Sequence, residues 1–125
     1  VVFHRVIDGF MAQTGYVLHG KLGGDLAMAG TVGSDLPDIP AEFSDVPFLR
    51  GTVGMARSNS PDSANSQFFI MFAPGDFLNG QYTVVGNVIE GLDVVDKIRR
   101  GNPDLNGAVE GTPDVMAKVT VEGQL

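Results

Sequence analysis

Few residues of this chain could do chemistry. It has no Cys, which removes thiolate nucleophiles, disulfides, iron–sulfur clusters and Cys-type zinc sites together. The two histidines, His4 and His19, lack ligand spacing, and a lone strand histidine is ordinarily structural. The carboxylates are scattered through loop-like segments. No Gly-x-Gly-x-x-Gly opens a helix, no lysine loop could cradle phosphates, and no Gly-x-Ser-x-Gly is present. No cofactor and no metal are therefore expected. Such a chain is either a binding module or an enzyme whose reaction needs neither a nucleophile nor proton transfer.

Two runs carry the remaining polar candidates. Phe3-His4-Arg5-Val6-Ile7-Asp8-Gly9-Phe10-Met11-Ala12-Gln13-Thr14-Gly15 sets Arg5 and Gln13 among apolar residues. Ser63-Ala64-Asn65-Ser66-Gln67-Phe68-Phe69-Ile70 is polar, then strongly apolar. On position alone Arg5 reads as a strand arginine in a surface ion pair. Gln13 reads as an outward-facing strand residue. Phe10 and Phe69 read as core packing, the usual fate of such residues.

The elements that would position these residues are mostly strands. Val1–Val6 is rich in β-branched and aromatic residues, Asp8-Gly9 signals a turn, and Phe10–Thr14 completes a hairpin. Gly15 to about Arg50 is a long Gly- and Pro-bearing loop, read as ordered surface chain with Phe43 anchoring it to the core. Thr52–Ala56 and Ser66–Phe72 are strands separated by the turn-rich Arg57–Asn65. Pro74-Gly75-Asp76 breaks the second of them. Tyr82–Val88 is a strand with Gly86 at a bulge or a close approach. Leu92–Arg100 has helical spacing of Leu92, Val94, Val95 and Ile98, with Gly101 as a stop. Val115–Val121 alternates and reads as a half-buried closing strand. Antiparallel β structure with one helix implies a barrel or a sandwich.

Composition narrows the functional classes. The 125 residues suffice for one domain with a real core. Only 8 Lys and Arg stand against 15 Asp and Glu, a net charge of −7, which argues against nucleic acid and anionic membranes. No apolar run approaches the roughly 20 residues that span a bilayer. Seventeen glycines are about twice the usual share of roughly 7%, so turns and irregular loops are expected over long helices.

The pattern FHRV-x-x-GFM-x-Q-x-G followed by SANSQFFI resembles the cyclophilins, the cyclosporin-binding type of peptidyl-prolyl cis–trans isomerase. Met55-Ala56-Arg57-Ser58, and Phe77-Leu78-Asn79-Gly80-Gln81-Tyr82-Thr83-Val84-Val85-Gly86, are similar to the bacterial branch. The resemblance covers nearly the whole chain, in family order. It implies a mainly β fold, an eight-stranded antiparallel barrel capped by helices. In that fold the FHR strand is the third, so residues 1–125 are expected to be a single cyclophilin-like domain lacking its first two strands and first helix. Val115–Val121 would then have lost its partner strand, leaving part of the core uncovered.

The implied reaction suits the residue inventory. Amide rotation has a barrier of about 18–20 kcal/mol because the nitrogen lone pair is delocalised. X–Pro is the linkage with both isomers well populated. Catalysis needs a donor near the prolyl nitrogen and a greasy pocket for the ring, both favouring the twisted state over the planar ones. The resemblance makes Arg5 the catalytic arginine and Gln13 the residue that orients it and bonds the substrate backbone. Phe10, Met11, Phe69 and Leu78 match the proline pocket. Ala56 and Arg57 match positions lining the groove for the residue before proline, where familiar relatives often carry Asn in place of Arg57. Gln67 matches a neighbouring groove residue, and Tyr82 stands where many eukaryotic relatives have His. Phe77 replaces the Trp of cyclosporin-sensitive members and has no N–H to donate, so only weak cyclosporin binding is expected. Tyr16 stands where the family commonly has an acidic residue, and Gly23-Gly24 resembles its glycine-rich stretch.

The expected function is isomerisation of X–Pro bonds in unfolded or extended polypeptides, assisting folding. The expected partners are proline-containing peptide segments, with no nucleic acid and no membrane. A monomer is expected. The bacterial look of the motifs points to the cytoplasm, with the periplasm left open. The alternatives are a proline-peptide-binding module without turnover, and an inactive fragment.

Overall fold

The computed structural model describes residues 1–17 and 34–122. His19, Gly23-Gly24 and most of the Val17–Gly33 loop lie outside the described residues. Five short strands form one antiparallel sheet. They are β1 (Arg5–Ile7), β2 (Met11–Thr14), β3 (Thr52–Met55), β4 (Phe68–Met71) and β5 (Val84–Asn87). Their spatial order is β1-β2-β4-β3-β5. A short helix, α1 (Leu92–Val95), follows. Single 3-10 turns occupy Asp76–Leu78 and Pro103–Leu105. Among the described residues no helix is long and apolar enough to cross a membrane.

The hairpin expected at the start is present. Arg5 pairs with Gln13 and Ile7 with Met11, and the chain reverses at Gly9, whose φ of 72° favours glycine. Strand alternation then sorts side chains onto two faces. One face packs Met11, Phe48, Phe69, Met71 and Leu78, with Ile7, Phe10, Ala56, Tyr82 and Val84 against them. The other packs Phe3, Val6, Ala12 and Phe72, joined by Ile70, Val95, Ile98, Val109 and Met116. Register fixes the first face as the chemically interesting one. Gln13 pairs with Phe69 and Arg5 with Gln13, so all three project from the same side of the sheet.

The sheet stays open among the described residues, so the barrel is not closed. β1 and β5 are its edges. The outer edge of β1 is occupied by chain, not by a strand: Val6 N–H donates to Gly107 (2.8 Å), and Val109 N–H donates to His4 (3.1 Å). The expected closing strand is reduced to a Val2–Val115 bridge, made by Met116 N–H donating to Val1 and Phe3 N–H donating to Asp114 (2.9 Å each). Beyond it Val119 and Val121 are exposed. Alternation makes a strand only where a partner ladder is available, and no described residue offers one there.

Two other expectations are corrected. The helix stops at Val95, not Arg100, because its β-branched residues are weak helix formers and Gly91 supplies no side-chain cap. The chain then tightens into 3-10 bonds while Arg100 Nη1 donates to the carbonyls of Asp96 and Ile98. Arg100 also covers Phe72, 4.0 Å from its ring centroid, and pairs with Asp8 at 2.9 Å. Phe43 is exposed. The loop's anchor is Phe48, fully buried and stacked 5.7 Å from Phe69. Asn79 Oδ1 accepts from Phe48 N–H at 2.7 Å, which holds the anchor in place. Gly86 borders the expected bulge, at which the β3–β5 register shifts and Val85 is the extra residue, and a Cβ on Gly86 would meet open space.

Candidate functional site

The face carrying Arg5, Gln13 and Phe69 is one wall of an open groove with a cavity volume of about 490 Å³. β1 and β2 supply Arg5, Met11 and Gln13, and Phe10 comes from the hairpin turn between them. β4 supplies Phe69 as the floor. The 3-10 turn after β4 brings Phe77 and Leu78. Ala56 and Arg57 follow β3, and Gln81 and Tyr82 precede β5. Met55 N–H donates to Thr83 at 3.0 Å, which brings these last two segments side by side.

One end of the groove is apolar. Met11, Phe69 and Leu78 are buried, and Phe10 is half-buried. Phe77 stands at the rim, 70% exposed, with its ring 5.4 Å from that of Phe10. Tyr82 meets Phe69 edge-on at 6.0 Å. This end can take a compact apolar ring and remove it from water.

The polar wall is built around Arg5. Its Nη1 donates to Gln13 Oε1 at 3.0 Å. Its Nε donates to the Asn106 carbonyl at 2.9 Å, and its Nη2 to Asn106 Oδ1 at 3.0 Å. Three of the five guanidinium N–H bonds are thereby fixed, and two remain. Partial burial lowers the Arg5 pKa from its ordinary value, with Tyr82 opposing, and the group stays cationic at neutral pH. Gln13 Nε2 donates to Gln67 Oε1 at 2.8 Å, which fixes the amide orientation and leaves one N–H of that nitrogen.

His4 lies behind this wall. Burial, and then the Arg5 charge, push its pKa below the ordinary histidine value, while a hydrogen bond with Gln67 opposes them. It is therefore neutral at neutral pH. Tyr16 is fully buried and faces His4 across 6.2 Å between ring centroids.

Ten of the eleven residues singled out from the sequence line this one groove. Gln67 does not. It stands behind Gln13 and props it. Two contributors escaped the sequence reading. Gln81 lines the groove beside Tyr82, and its carbonyl accepts from Arg57 Nη2 at 2.7 Å. Asn106 holds Arg5 from a left-handed turn, φ 56°. The signal for it was the Asn106-Gly107 dipeptide, a turn former whose partner lies 101 residues away. Among the described residues no carboxylate and no histidine lines the groove, and no group of three metal-ligating side chains occurs. The arrangement can bind an apolar ring and direct a fixed cationic donor at a neighbouring backbone atom.

The family model described as cyclophilin type peptidyl-prolyl cis-trans isomerase/CLD matches residues 1–121. A Brucella abortus protein named probable peptidyl-prolyl cis-trans isomerase is 64% identical over 124 residues, covering 98% of this chain. This chain spans only 63% of that relative's length. An Acinetobacter baylyi peptidyl-prolyl cis-trans isomerase is 38% identical over 124 residues, covering 94% of this chain and 61% of its own length. A crystal structure of a cyclophilin from Hirschia baltica is similar with a TM-score of 0.61 and 27% identity, over 78% of this chain and 52% of that one. A Cryptosporidium parvum cyclophilin, crystallised in the presence of the dipeptide Ala-Pro, shares the fold at a TM-score of 0.66 and 24% identity. That match covers 87% of this chain and 67% of the other.

Proposed function

The chain belongs to the cyclophilin-type peptidyl-prolyl cis-trans isomerase family, and on that premise we propose that its groove catalyses rotation about X–Pro bonds in extended or unfolded polypeptides. The observation that carries the reading is the pairing of a fixed arginine with an apolar pocket. Arg5 is tied to Gln13 and Asn106 beside the pocket of Phe10, Met11, Phe69 and Leu78.

The proline ring docks on that pocket, which holds one side of the rotating bond still. A free N–H of Arg5 donates to the prolyl nitrogen as its lone pair localises in the twisted state. The planar isomers offer that nitrogen no lone pair, so the bond forms where it lowers the barrier. Gln13 keeps Arg5 aimed, and its remaining amide N–H meets the peptide backbone. Gln67 fixes Gln13 in turn. Ala56, Arg57 and Tyr82 flank the residue before proline, and the Tyr82 hydroxyl is a further donor to it. Proline-containing segments of client chains are the proposed partners. Weak cyclosporin binding belongs to the same proposal, because Phe77 at the rim has no N–H to offer.

The test is turnover of a proline tetrapeptide by this chain and by Arg5→Ala. Loss of one preorganised donor is expected to lower kcat/KM about 10²-fold or more. Retained turnover in Arg5→Ala rejects the assignment. Peptide binding without turnover in the unmodified chain reduces the groove to a binding module.

A further inference from the structure

We propose that Arg57 makes this groove select peptides with an acidic side chain one or two residues before the proline. The inference rests on the isomerase reading above and names its substrate class.

Arg57 lies over Tyr82, its guanidinium carbon 4.3 Å from the ring centroid. Its polar contacts are all with backbone carbonyls: Nη1 donates to Ser58 at 2.9 Å and Asn59 at 3.4 Å, and Nη2 to Gln81 at 2.7 Å. Its Nε is buried without a partner. The carbonyls and the ring hold the group in place, yet among the described residues no carboxylate neutralises it. The chain's Arg50 and Arg100, by contrast, each pair with an aspartate. Among its described lining residues the groove therefore presents two cations, Arg5 and Arg57, and no acidic group, on a chain whose net charge is −7. A local field of opposite sign to the rest of the molecule favours an anionic ligand group.

Geometry limits where that group sits. The 6.0 Å from Phe69 to Tyr82 and the 4.3 Å from Tyr82 to the guanidinium place the charge within about 10 Å of the pocket floor. Extended chain advances about 3.3–3.6 Å per residue. A glutamate side chain one or two residues from the docked proline spans the remainder.

The experiment measures kcat/KM for Ala-Xaa-Pro-Phe and Xaa-Ala-Pro-Phe, with Glu, Gln or Lys at Xaa, for the unmodified chain, Arg57→Gln and Arg57→Glu. A Glu-over-Gln preference of about two- to fivefold is expected at low ionic strength in at least one series, the range of a partly exposed ion pair. Near 1 M salt, where the Debye length falls to about 3 Å, the preference should fade. It should collapse to about one in Arg57→Gln and invert toward Lys in Arg57→Glu. Equal turnover of Glu and Gln peptides in both series overturns the inference while leaving the isomerase reading intact. So does a preference that survives in Arg57→Gln. The unmodified chain's ratio and its salt dependence need no variant to fold. Turnover of none of the peptides overturns the isomerase reading and this inference with it.

Discussion

Arg5 is oriented by neutral groups, not by a carboxylate. Gln13 and both oxygens of Asn106 accept from it, so the guanidinium keeps its full charge for the groove. Asn106 is the less obvious of the two supports, and it can be tested separately from the fold. Asn106→Gly keeps the carbonyl acceptor and tolerates the left-handed backbone, but removes Oδ1. One lost hydrogen bond of about 0.5–1.5 kcal/mol corresponds to a fall in kcat/KM of about two- to twelvefold. Steady-state kinetics should place that fall in kcat, with KM little changed. A change confined to KM would assign Asn106 to peptide binding instead. Arg5 and Gln13 were legible in the sequence because they share a short motif on one hairpin. Asn106 was not, because nothing local ties it to a residue 101 positions earlier.

At the scale of elements, β3 and the loop before it back the pocket floor that β4 supplies. Gly54 is the point where they meet. A Cβ there would lie 2.6 Å from Phe48 and 2.7 Å from Phe69. The two rings stack across the space glycine leaves. Gly54→Ala must push Phe48 or Phe69 aside, an overpacking cost of about 1–3 kcal/mol. Urea denaturation should report the loss of stability. A weaker affinity for proline peptides should accompany it, since Phe69 is also the floor of the groove. The strands were readable because their alternation and β-branched content have a period of two. Choosing Phe48 over Phe43 as the anchor was not possible that way. Both phenylalanines sit in irregular chain, and only the Asn79 bond and the Gly54 gap distinguish them. The helix was over-read for a related reason: spacing marks an apolar face without showing that hydrogen bonding stays α-helical along it.

At the scale of the molecule, the sheet separates a groove face from a structural face, and His4 lies at their junction. Its folded pKa is below the ordinary value of 6.5, mainly through burial. The unfolded chain therefore binds more protons just below that value, so stability is full above about pH 6.5 and falls as the pH drops below it. Chemical denaturation at pH 7.5 and pH 5 should show a loss that His4→Gln reduces. An equal loss in both proteins would place the acid sensitivity in other groups. The hairpin and the positions of the central strands followed from sequence, but their order in the sheet did not. Residues 115–121 alternate as a strand would, yet Val119 and Val121 face solvent for want of a ladder to join. One further property follows from the aromatic inventory. The chain has no Trp and two Tyr; Tyr16 is sealed inside, while Tyr82 lies between Phe69 and Arg57 in the groove wall. Its ultraviolet emission is therefore free of indole background, and the Tyr82 phenol, in the groove proposed to hold the peptide, is a built-in optical reporter of occupancy.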